Sequence, residues 1–434
     1  MSLNLLLVVA VFAAGTMLRM RCSFTMLAAG ACGIIAEMGF QRGTAILASQ
    51  VQEGISNYVL ISIAALALGG EVNRVTGAET GVRRLVQSML AGRRAAPIMA
   101  PLLSSALQGP LLLRCGLSLD TETRREAIEM LPTMEIQGIP SLLAWHVLTA
   151  GSCCALLLVP GFVTFIAANS FDSSIGRLLA AMVLPGVILV ALYMGVAGFI
   201  VIRLRNVTPL PKRGNRSLTV WRDLEGVVAK AVGVLLALTA ILQGITTPTE
   251  AAAAIVIAML YVAWLQRERP RPKDLRFAFE GAAKSAVELI FTVVAGTVLS
   301  VALVALHLHT YVSEGATALG NLAPFALLLV FPAALSALIG IPAALVLCGA
   351  LVGQYASQSG LPAPVYVVLI SYAVLIGASS KTMLSPPSGS IEFQGPYRHL
   401  VSVSLWSAPP VLVWVTIYIA PDIVALSDRL LGFH

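Results

Sequence analysis

The segment SYAVLIGASSKTMLSPPSGSIEF, residues 371–393, interrupts a strongly apolar part of the chain with a polar break. The run is apolar as far as Ala378 and then becomes rich in serine, with Lys381 and the pair Pro386–Pro387. Proline stops a helix because it has no N–H donor. In a bilayer, the freed backbone groups are tolerated only where they face protein or a watery cavity. The break therefore predicts either a surface loop between two spans or a site that binds an ion or anion.

The composition around this break indicates an all-α polytopic membrane protein. Hydrophobic residues make up 58% of the 434-residue chain and charged residues only 11%, against about 25% charged residues in a soluble domain. Long continuous apolar runs exclude alternating strands. At about 20 residues per span, roughly ten to twelve spans or hairpins fit. The net charge of +7 lies mostly in short loops, as expected for cytoplasmic loops beside a lipid bilayer, and indicates no nucleic-acid partner.

The six cysteines show no metal-ligand spacing and lie mostly in apolar runs, so we expect small core residues. The vicinal pair Cys153–Cys154 leaves a redox-active pair as the alternative. The cysteines are Cys22, Cys32, Cys115, Cys153, Cys154 and Cys348.

In the first half, an amphipathic segment precedes a run broken by proline and glycine. Residues 81–94 alternate apolar positions with arginines, which predicts a helix lying in the membrane surface. Residues 95–113 contain three prolines, which predicts a re-entrant hairpin. The polar segment 114–138 predicts an exposed helix capped by Asp120 or Thr121.

The first half continues with residues 139–168, which exceed one span and predict a break near Pro160. The second half repeats this pattern. Residues 321–352 form two apolar runs split at Gly340, which predicts a second hairpin, and residues 362–393 form a second broken helix. Broken segments at matching places in two halves point to a transporter site.

Two cytoplasmic basic loops, 203–222 and 266–276, flank an outside turn at residues 246–250. In that turn, Thr247 or Thr249 is expected to cap the helix that starts at Glu250, with Pro248 in its first turn. Glu71 is expected to contact Arg74 or a loop amide. These residues are interpreted as structural.

At this point the chain resembles a known family, the large membrane subunit of TRAP transporters (the DctM type of the ion transporter superfamily). The most distinctive match is TPTEAAA within GITTPTEAAAAIVIAMLYVAWL, residues 244–265. ALALGGEVNRVTGAETGVRRLVQSMLAG (65–92), SFDSSIGRLLAAMVLPGVILVALYM (170–194) and GLPAPVYVVLISYAVLIGASSKTMLSPPSG (360–389) are similar to further family segments. The matching segments follow the family order over nearly the whole chain.

The resemblance implies two inverted repeats with two re-entrant helical hairpins, and an elevator-type transport domain moving against a scaffold. It implies import of an organic acid across the bacterial inner membrane, coupled to Na⁺ as the only cofactor. It also implies two partners, a small four-helix membrane subunit and a periplasmic substrate-binding protein. The expected division is N-terminal scaffold 1–94, first hairpin and broken helix 95–174, central scaffold 175–280, second hairpin and broken helix 281–399, and last span and tail 400–434.

The chain departs from the family pattern mainly in the first half. The family's tip, rich in Gly, Ser, Ala and Asp, becomes SSALQGPLLLRCG with Arg114, and only Pro160 remains of a proline pair. In the second half the motif TPPvG becomes SPPSG, with Lys381 nearby. The second ion site is thus better preserved than the first. Lys381 and Arg114 are candidate contacts for a substrate anion, or they snorkel to the membrane surface.

The candidate binding residues are small, hydroxyl-bearing or helix-breaking residues in both halves, which could hold substrate and Na⁺ together with backbone carbonyls. In the second half they are Ser379, Ser380, Thr382, Ser385, Pro386, Pro387, Ser388 and Gly389. In the first half they are Ser104, Ser105, Gln108, Gly109 and Ser152.

Two alternatives remain at this point. A diverged member could be proton-coupled, with His146 or Glu135 as proton carrier, or inactive in transport. A membrane enzyme is the remote alternative. The chain has no HExxH, no GxSxG-type serine site and no aspartate pair within a span, so we expect no catalytic residues.

Overall fold

The computed structural model describes residues 3–112, 118–158, 161–204, 207–210, 217–265, 271–386 and 396–430, which form helices with short connections. The first ten helices are α1 Leu3–Met17, α2 Cys22–Met38, α3 Phe40–Ser56, α4 Tyr58–Val75, α5 Ala78–Leu90, α6 Ala96–Leu112, α7 Leu119–Ile136, α8 Ser141–Leu157, α9 Phe162–Ser170 and α10 Ile175–Arg203. The remaining helices are α11 Ser217–Leu242, α12 Pro248–Leu265, α13 Pro272–Ala305, α14 Leu308–Leu319, α15 Ala323–Phe325, α16 Phe331–Ile339, α17 Ile341–Gln358, α18 Ala363–Leu384, α19 Pro396–Ile419 and α20 Asp422–Leu430. A 3₁₀ turn, Gly320–Leu322, precedes α15, and a π-helical segment, Ala326–Val330, follows it.

The helices confirm an all-α polytopic membrane protein. Within the described ranges, eight helices are long and apolar enough to cross a membrane, or nine if the bent pair α8–α9 is one span. Shorter apolar helices add to these, among them α1, α2 and α6. Because a helix satisfies its own backbone hydrogen bonds, these apolar runs are stable in hydrocarbon.

The centre of the molecule is formed by α8 and α18. Every residue from 144 to 157 and from 365 to 379 is buried. A helix that is apolar and buried all round faces other helices rather than lipid. Helix α8 packs against α6 and α7, α18 packs against α16, α17 and α19, and α8 and α18 also touch each other.

The long helix α13 organises the outer layer. It packs against α2, α3 and α4 on one side and against α17 on the other, and α4 also packs against α12. The amide of Asn57, just before α4, donates to the Asn169 side chain on α9 at 2.7 Å. The division into scaffold and transport domain, with the boundaries expected from the sequence, stays a prediction.

The breaks expected in the two central helices are confirmed. Helix α8 ends at Leu157, α9 starts at Phe162, and the two helices meet at an angle of 52°. Pro160 itself lies outside the described residues. Helix α18 ends at Leu384, and Ser385 and Pro386 are not helical. The junction in 321–352 is also confirmed, because α16 ends at Ile339 and α17 starts at Ile341. Gly340 adopts φ +92° there, which favours glycine.

The prediction of a hairpin within residues 95–113 is wrong. The segment forms one helix, α6, with Pro101 and Pro110 inside it. Proline removes one backbone hydrogen bond and bends a helix without ending it when neighbouring helices support the turn. The chain leaves α6 only after Leu112 and starts α7 at Leu119. The pair α6–α7 thus has the place in the first half that α16–α17 has in the second.

The apolar side of the amphipathic helix α5 packs against protein. Its apolar residues, including Val82 and Val86, pack against α6 with neighbours from α11. Its Arg83 guanidinium lies 2.6 Å from the Glu129 carboxylate and 3.4 Å from that of Glu126 on α7. The position of α5 at the membrane surface stays a prediction.

The helix caps confirm one prediction and correct another. At the turn before α12, the Glu250 N–H donates to the Thr247 hydroxyl at 3.3 Å, and the Thr247 N–H donates to the Glu250 carboxylate at 2.8 Å. This reciprocal pair is a capping box with Pro248 in the first turn. For α7, however, the cap is Ser118 rather than Asp120 or Thr121. The predicted contact of Glu71 with Arg74 is present at 2.6 Å.

Candidate functional site

A cavity of about 310 Å³ lies where the start of α7, the Gly340 junction and the end of α18 meet. Its polar lining residues are Ser118, Asp120, Arg124, Ser336, Lys381, Thr382 and Ser385. Its volume is at the lower end of the range for small-molecule sites. Helix ends from both halves of the chain therefore converge on one polar cavity.

The α7 side of the cavity is a capped helix N-terminus followed by an ion pair. The Ser118 hydroxyl accepts a hydrogen bond from the Thr121 N–H at 3.2 Å, which satisfies one free amide of the first turn. One turn further, the Arg124 guanidinium donates to the Asp120 carboxylate at 2.8 Å. Both side chains are about 40% exposed, so this pair is open to the cavity.

Trp145 of α8 connects the two sides. The Arg124 guanidinium lies 5.8 Å from the centre of the Trp145 ring, within cation–π range. The buried indole N–H of Trp145 donates to the Thr382 carbonyl at 3.0 Å. That carbonyl belongs to the last turn of α18, so a single tryptophan holds the end of α18 beside α7.

The third side of the cavity is the junction between α16 and α17. Gly340 ends α16 without a side chain and lets α17 begin at once. One turn earlier, the Ser336 side chain is 99% buried, and its hydroxyl has no hydrogen-bond partner among the described residues. A buried hydroxyl without a partner costs free energy, so its position at the cavity wall indicates a ligand contact.

The charges around this cavity favour an anion with a cation nearby. Among the described lining residues, two cationic side chains, Arg124 and Lys381, share the cavity with one carboxylate, Asp120. Helices α7 and α17 begin here, and helix N-termini attract anions. Helices α16 and α18 end here, and their last carbonyls attract cations. The site therefore offers neighbouring places for negative and positive charge.

A second, larger cavity of about 720 Å³ lies among α1, α13, α14, α16 and α17. Apart from Tyr311, its lining consists only of aliphatic residues and phenylalanine. Without charged groups it can select a ligand only by shape, so the polar cavity is the better candidate for transport chemistry.

The sequence from residue 9 to residue 395 matches the family described as "Tripartite ATP-independent periplasmic transporter, DctM component". The chain belongs to the DctM family. This family consists of transporter components and not of enzymes. As a tripartite system, the family implies partner components.

Named relatives agree with this assignment. This chain is 25% identical to the C4-dicarboxylate TRAP transporter large permease protein DctM of Pseudomonas aeruginosa over 295 residues. The aligned stretch covers 65% of each protein. Its fold is similar to that of MtrF of Neisseria gonorrhoeae, described among antimetabolite efflux pumps (TM-score 0.58, 13% identity, 88% of this chain and 84% of MtrF). It also resembles the YdaH transporter of Alcanivorax borkumensis (TM-score 0.54, 15% identity, 91% of this chain and 89% of YdaH). At these identities the two structures support the fold alone.

The candidate binding residues that the sequence predicts in the second half of this chain divide into two groups. Thr382, Ser385 and the candidate anion contact Lys381 line the cavity. Ser379 and Ser380 do not: the Ser379 hydroxyl donates to the Ile376 carbonyl at 3.0 Å, and Ser380 lies 3.3 Å from the Ser407 hydroxyl on α19. Pro386 follows Ser385 directly, whereas Pro387, Ser388 and Gly389 lie outside the described residues.

The first-half residues predicted for the site lie away from the cavity. Ser104, Ser105, Gln108 and Gly109 are buried on α6, and Ser152 is buried on α8. The two helices pack so closely that a Cβ atom on Gly109 would overlap the backbone of Ala155. Small residues at such positions allow close helix packing. Arg114 lies outside the described residues.

The sequence predicts an exposed helix over residues 114–138 and does not indicate that Ser118, Asp120 and Arg124 line a cavity. It also does not indicate the position of Ser336 at the cavity wall or of Trp145 beside Arg124. One signal was available: Ser118 is followed by acidic residues in the first turn of a helix. This pattern marks a helix N-terminus, and helix ends are where membrane transporters bind ions.

The remaining polar candidates are engaged elsewhere. His146 is buried, and its Nδ1 lies 2.7 Å from the Ser402 hydroxyl on α19. The Glu135 carboxylate accepts a hydrogen bond from the Ser141 hydroxyl at 2.6 Å at the surface. Cys153, Cys154 and Cys348 are buried as free thiols, as expected for core residues, whereas Cys22 is half-buried. The prediction is wrong for Cys32, which is exposed, and Cys115 lies outside the described residues. The described residues contain no group of three His, Cys, Asp or Glu that could hold a metal ion.

Proposed function

We propose that the protein is the permease subunit of a TRAP transporter that imports an organic acid across the bacterial inner membrane. The observation that carries this proposal is the polar cavity, where Arg124 and Lys381 face an anion-sized space. A C4-dicarboxylate permease among the relatives supports a carboxylate as substrate. Within the proposal, Lys381 binds one carboxylate as a point charge and Arg124 binds another through its planar fork.

The proposed coupling ion is Na⁺. The residues fit it, because Ser336, Thr382 and Ser385 offer oxygen atoms at the ends of α16 and α18, and the Ser336 hydroxyl is unpaired in the described structure. Hydroxyl and carbonyl oxygens at broken helices are the ligands that Na⁺ finds in secondary transporters. The Na⁺ gradient across the membrane would supply the free energy for uptake, because Na⁺ would move down it together with the substrate.

The rest of the proposed mechanism concerns movement and partners. The predicted transport segments, residues 95–174 and 281–399, would move together against the rest of the chain in an elevator motion. A small four-helix membrane subunit would complete the scaffold, and a periplasmic binding protein would deliver the substrate. Such a motion would have to slide or rearrange the contacts of α13 with α2 and α4.

The proton-coupled or inactive alternative has less support. Its proton carriers would be His146 and Glu135, and both have hydrogen-bond partners away from the cavity. A carrier for coupled transport has to contact the substrate cavity in at least one state, and neither residue lines it here.

Thermal stability of the purified chain in detergent tests the proposal directly. We expect succinate to raise Tm, whereas succinamide, its uncharged analogue, has no effect. Saturating Na⁺ is expected to raise Tm relative to K⁺ and choline at equal ionic strength. A ligand at 100 times its Kd stabilises the folded state by about 2.7 kcal/mol.

Two serine variants make this test specific. Ser385→Ala is expected to abolish the Na⁺ response, whereas Ser357→Ala, an exposed serine of α17 away from the cavity, is the matched control. Equal Tm values in all three cations would remove Na⁺ coupling from the proposal. Equal responses to succinate and succinamide would remove anion recognition.

A further inference from the structure

We propose that Asp120 acts as a carboxylate switch in the polar cavity. In the empty site the Asp120 carboxylate forms an ion pair with Arg124. An anionic substrate displaces the carboxylate from Arg124, and the freed carboxylate then binds the coupling cation. This inference rests on the proposed function, because it gives a side-chain mechanism by which anion and cation binding become coupled.

The first step of the argument is that Arg124 can change partners without leaving the cavity. Its guanidinium is held over the Trp145 ring at 5.8 Å. The Trp145 indole is itself fixed by its 3.0 Å hydrogen bond to the Thr382 carbonyl. The contact with Trp145 therefore holds Arg124 independently of Asp120. The N–H donors of the guanidinium stay available to bind a substrate carboxylate.

The second step is that the Asp120–Arg124 pair is easy to exchange. The two residues are one turn apart on α7, 2.8 Å from each other, and about 40% exposed. Ion pairs of this kind are weak because water screens them. An external carboxylate that binds both Arg124 and Lys381 gains two charged contacts where Asp120 makes one.

The third step is that the displaced carboxylate faces oxygen ligands. Ser118, Ser336, Thr382 and Ser385 line the same cavity, and the Ser336 hydroxyl has no partner in the described part of the chain. A carboxylate added to neutral oxygens suits a hard cation.

The order of events follows from Lys381, the second cationic side chain among the described residues that line the cavity. It repels a cation until a substrate anion neutralises it. Anion binding therefore raises cation affinity, and by linkage the cation raises anion affinity equally.

A Na⁺ titration of thermal stability tests this switch without any substrate. The purified chain is titrated with NaCl against choline chloride at constant ionic strength. Arg124→Gln frees Asp120, so the Na⁺ concentration for half-maximal stabilisation is expected to fall about tenfold. The double variant Arg124→Gln/Asp120→Asn is expected to lose this gain. Arg276→Gln, in an equivalent exposed pair with Glu280 on α13, is the matched control and should leave the midpoint unchanged.

Each outcome of this titration bears on the switch. An unchanged or higher Na⁺ midpoint in Arg124→Gln, or a gain that survives Asp120→Asn, overturns it. If wild type shows no Na⁺ response, Na⁺ coupling loses its support, yet a response that appears in Arg124→Gln still supports the switch. No response in either protein overturns it.

A second variant guards against misfolding of Arg124→Gln. Asp120→Asn alone removes the internal competitor, so in choline the succinate midpoint is expected to fall. If Asp120 only positions Arg124, the midpoint rises instead, and the switch is overturned.

Discussion

The two halves of the molecule use similar residues in different places. In the second half, the serine- and proline-rich end of α18 lines the polar cavity. In the first half, Ser105 and Gly109 of α6 are buried against α8, and the start of α7 reaches the cavity instead. The comparison shows that small polar residues in an apolar run line a cavity where they lie at a helix end. In the interior of α6 they pack against a neighbouring helix.

The physical reason lies in the backbone. Inside a helix every N–H and C=O is paired, and a serine there bonds back to a carbonyl of the preceding turn, as Ser104 does with Pro101 at 3.0 Å. At a helix end the backbone groups are free and carry partial charge. Only there can the chain offer a ligand several polar groups at once.

The largest expected effect is the loss of stability when a Cβ atom is added at a close helix–helix contact in either half. A Cβ on Gly109 would overlap the Ala155 backbone, and a Cβ on Gly377 would overlap the Ala333 backbone of α16. Neither neighbour is a flexible side chain that can move aside. We therefore expect Gly109→Ala and Gly377→Ala each to lower the free energy of unfolding by about 3 kcal/mol, measured by thermal or denaturant unfolding in detergent.

The matched control is Gly195→Ala in α10, where no atom lies within 4 Å of the added Cβ. It should be neutral or slightly stabilising, because alanine favours the helix. If Gly109→Ala were as harmless as Gly195→Ala, α6 would not be a packing helix, and its serines would again be site candidates.

The next largest expected effect is on succinate affinity, which should depend on the second half and not on α6. Lys381→Gln removes an exposed cation from the cavity and is expected to weaken succinate binding about tenfold or more, because contacts to charged groups contribute about 1.5–3 kcal/mol. Stability without ligand should change little. Isothermal titration calorimetry of the purified chain measures the affinity.

The comparison variant in the first half is Ser104→Ala, which removes a hydroxyl that bonds only within α6 among its described contacts. It should leave succinate affinity unchanged. Weaker binding in Ser104→Ala with normal binding in Lys381→Gln would reverse the roles assigned to the two regions.

Much of the fold could be predicted from the sequence, because apolar length and proline position act locally. The break after Leu157, the junction at Gly340 and the end of α18 at Leu384 follow from glycine and proline chemistry. The continuity of α6 could not be predicted. Whether Pro101 and Pro110 bend or end a helix depends on the neighbouring helices that support the freed carbonyls.

Only part of the cavity lining could be predicted from the sequence, for the same reason. Lys381, Thr382 and Ser385 could be predicted because they lie beside a break that is visible in the sequence. Asp120, Arg124 and Trp145 could not, because their role depends on α7 and α8 meeting α18, a contact between residues more than 200 positions apart. The polar sequence of α7 is typical of an exposed helix, and only the tertiary structure brings its N-terminus to a cavity.

The smallest expected effect gives the most direct comparison of the two halves, because it uses the same substitution in α6 and in α16. Ser105 in α6 and Ser336 in α16 are both buried, and neither hydroxyl has a partner among the described residues. Removing an unpaired buried hydroxyl is neutral or stabilising by about 1 kcal/mol, so both serine-to-alanine variants should keep or slightly raise Tm without ligand. Only Ser336→Ala should lose part of the Na⁺ or succinate response, because only Ser336 lines the cavity. Equal responses in the two variants would mean that the cavity wall at α16 does not contact the ligand.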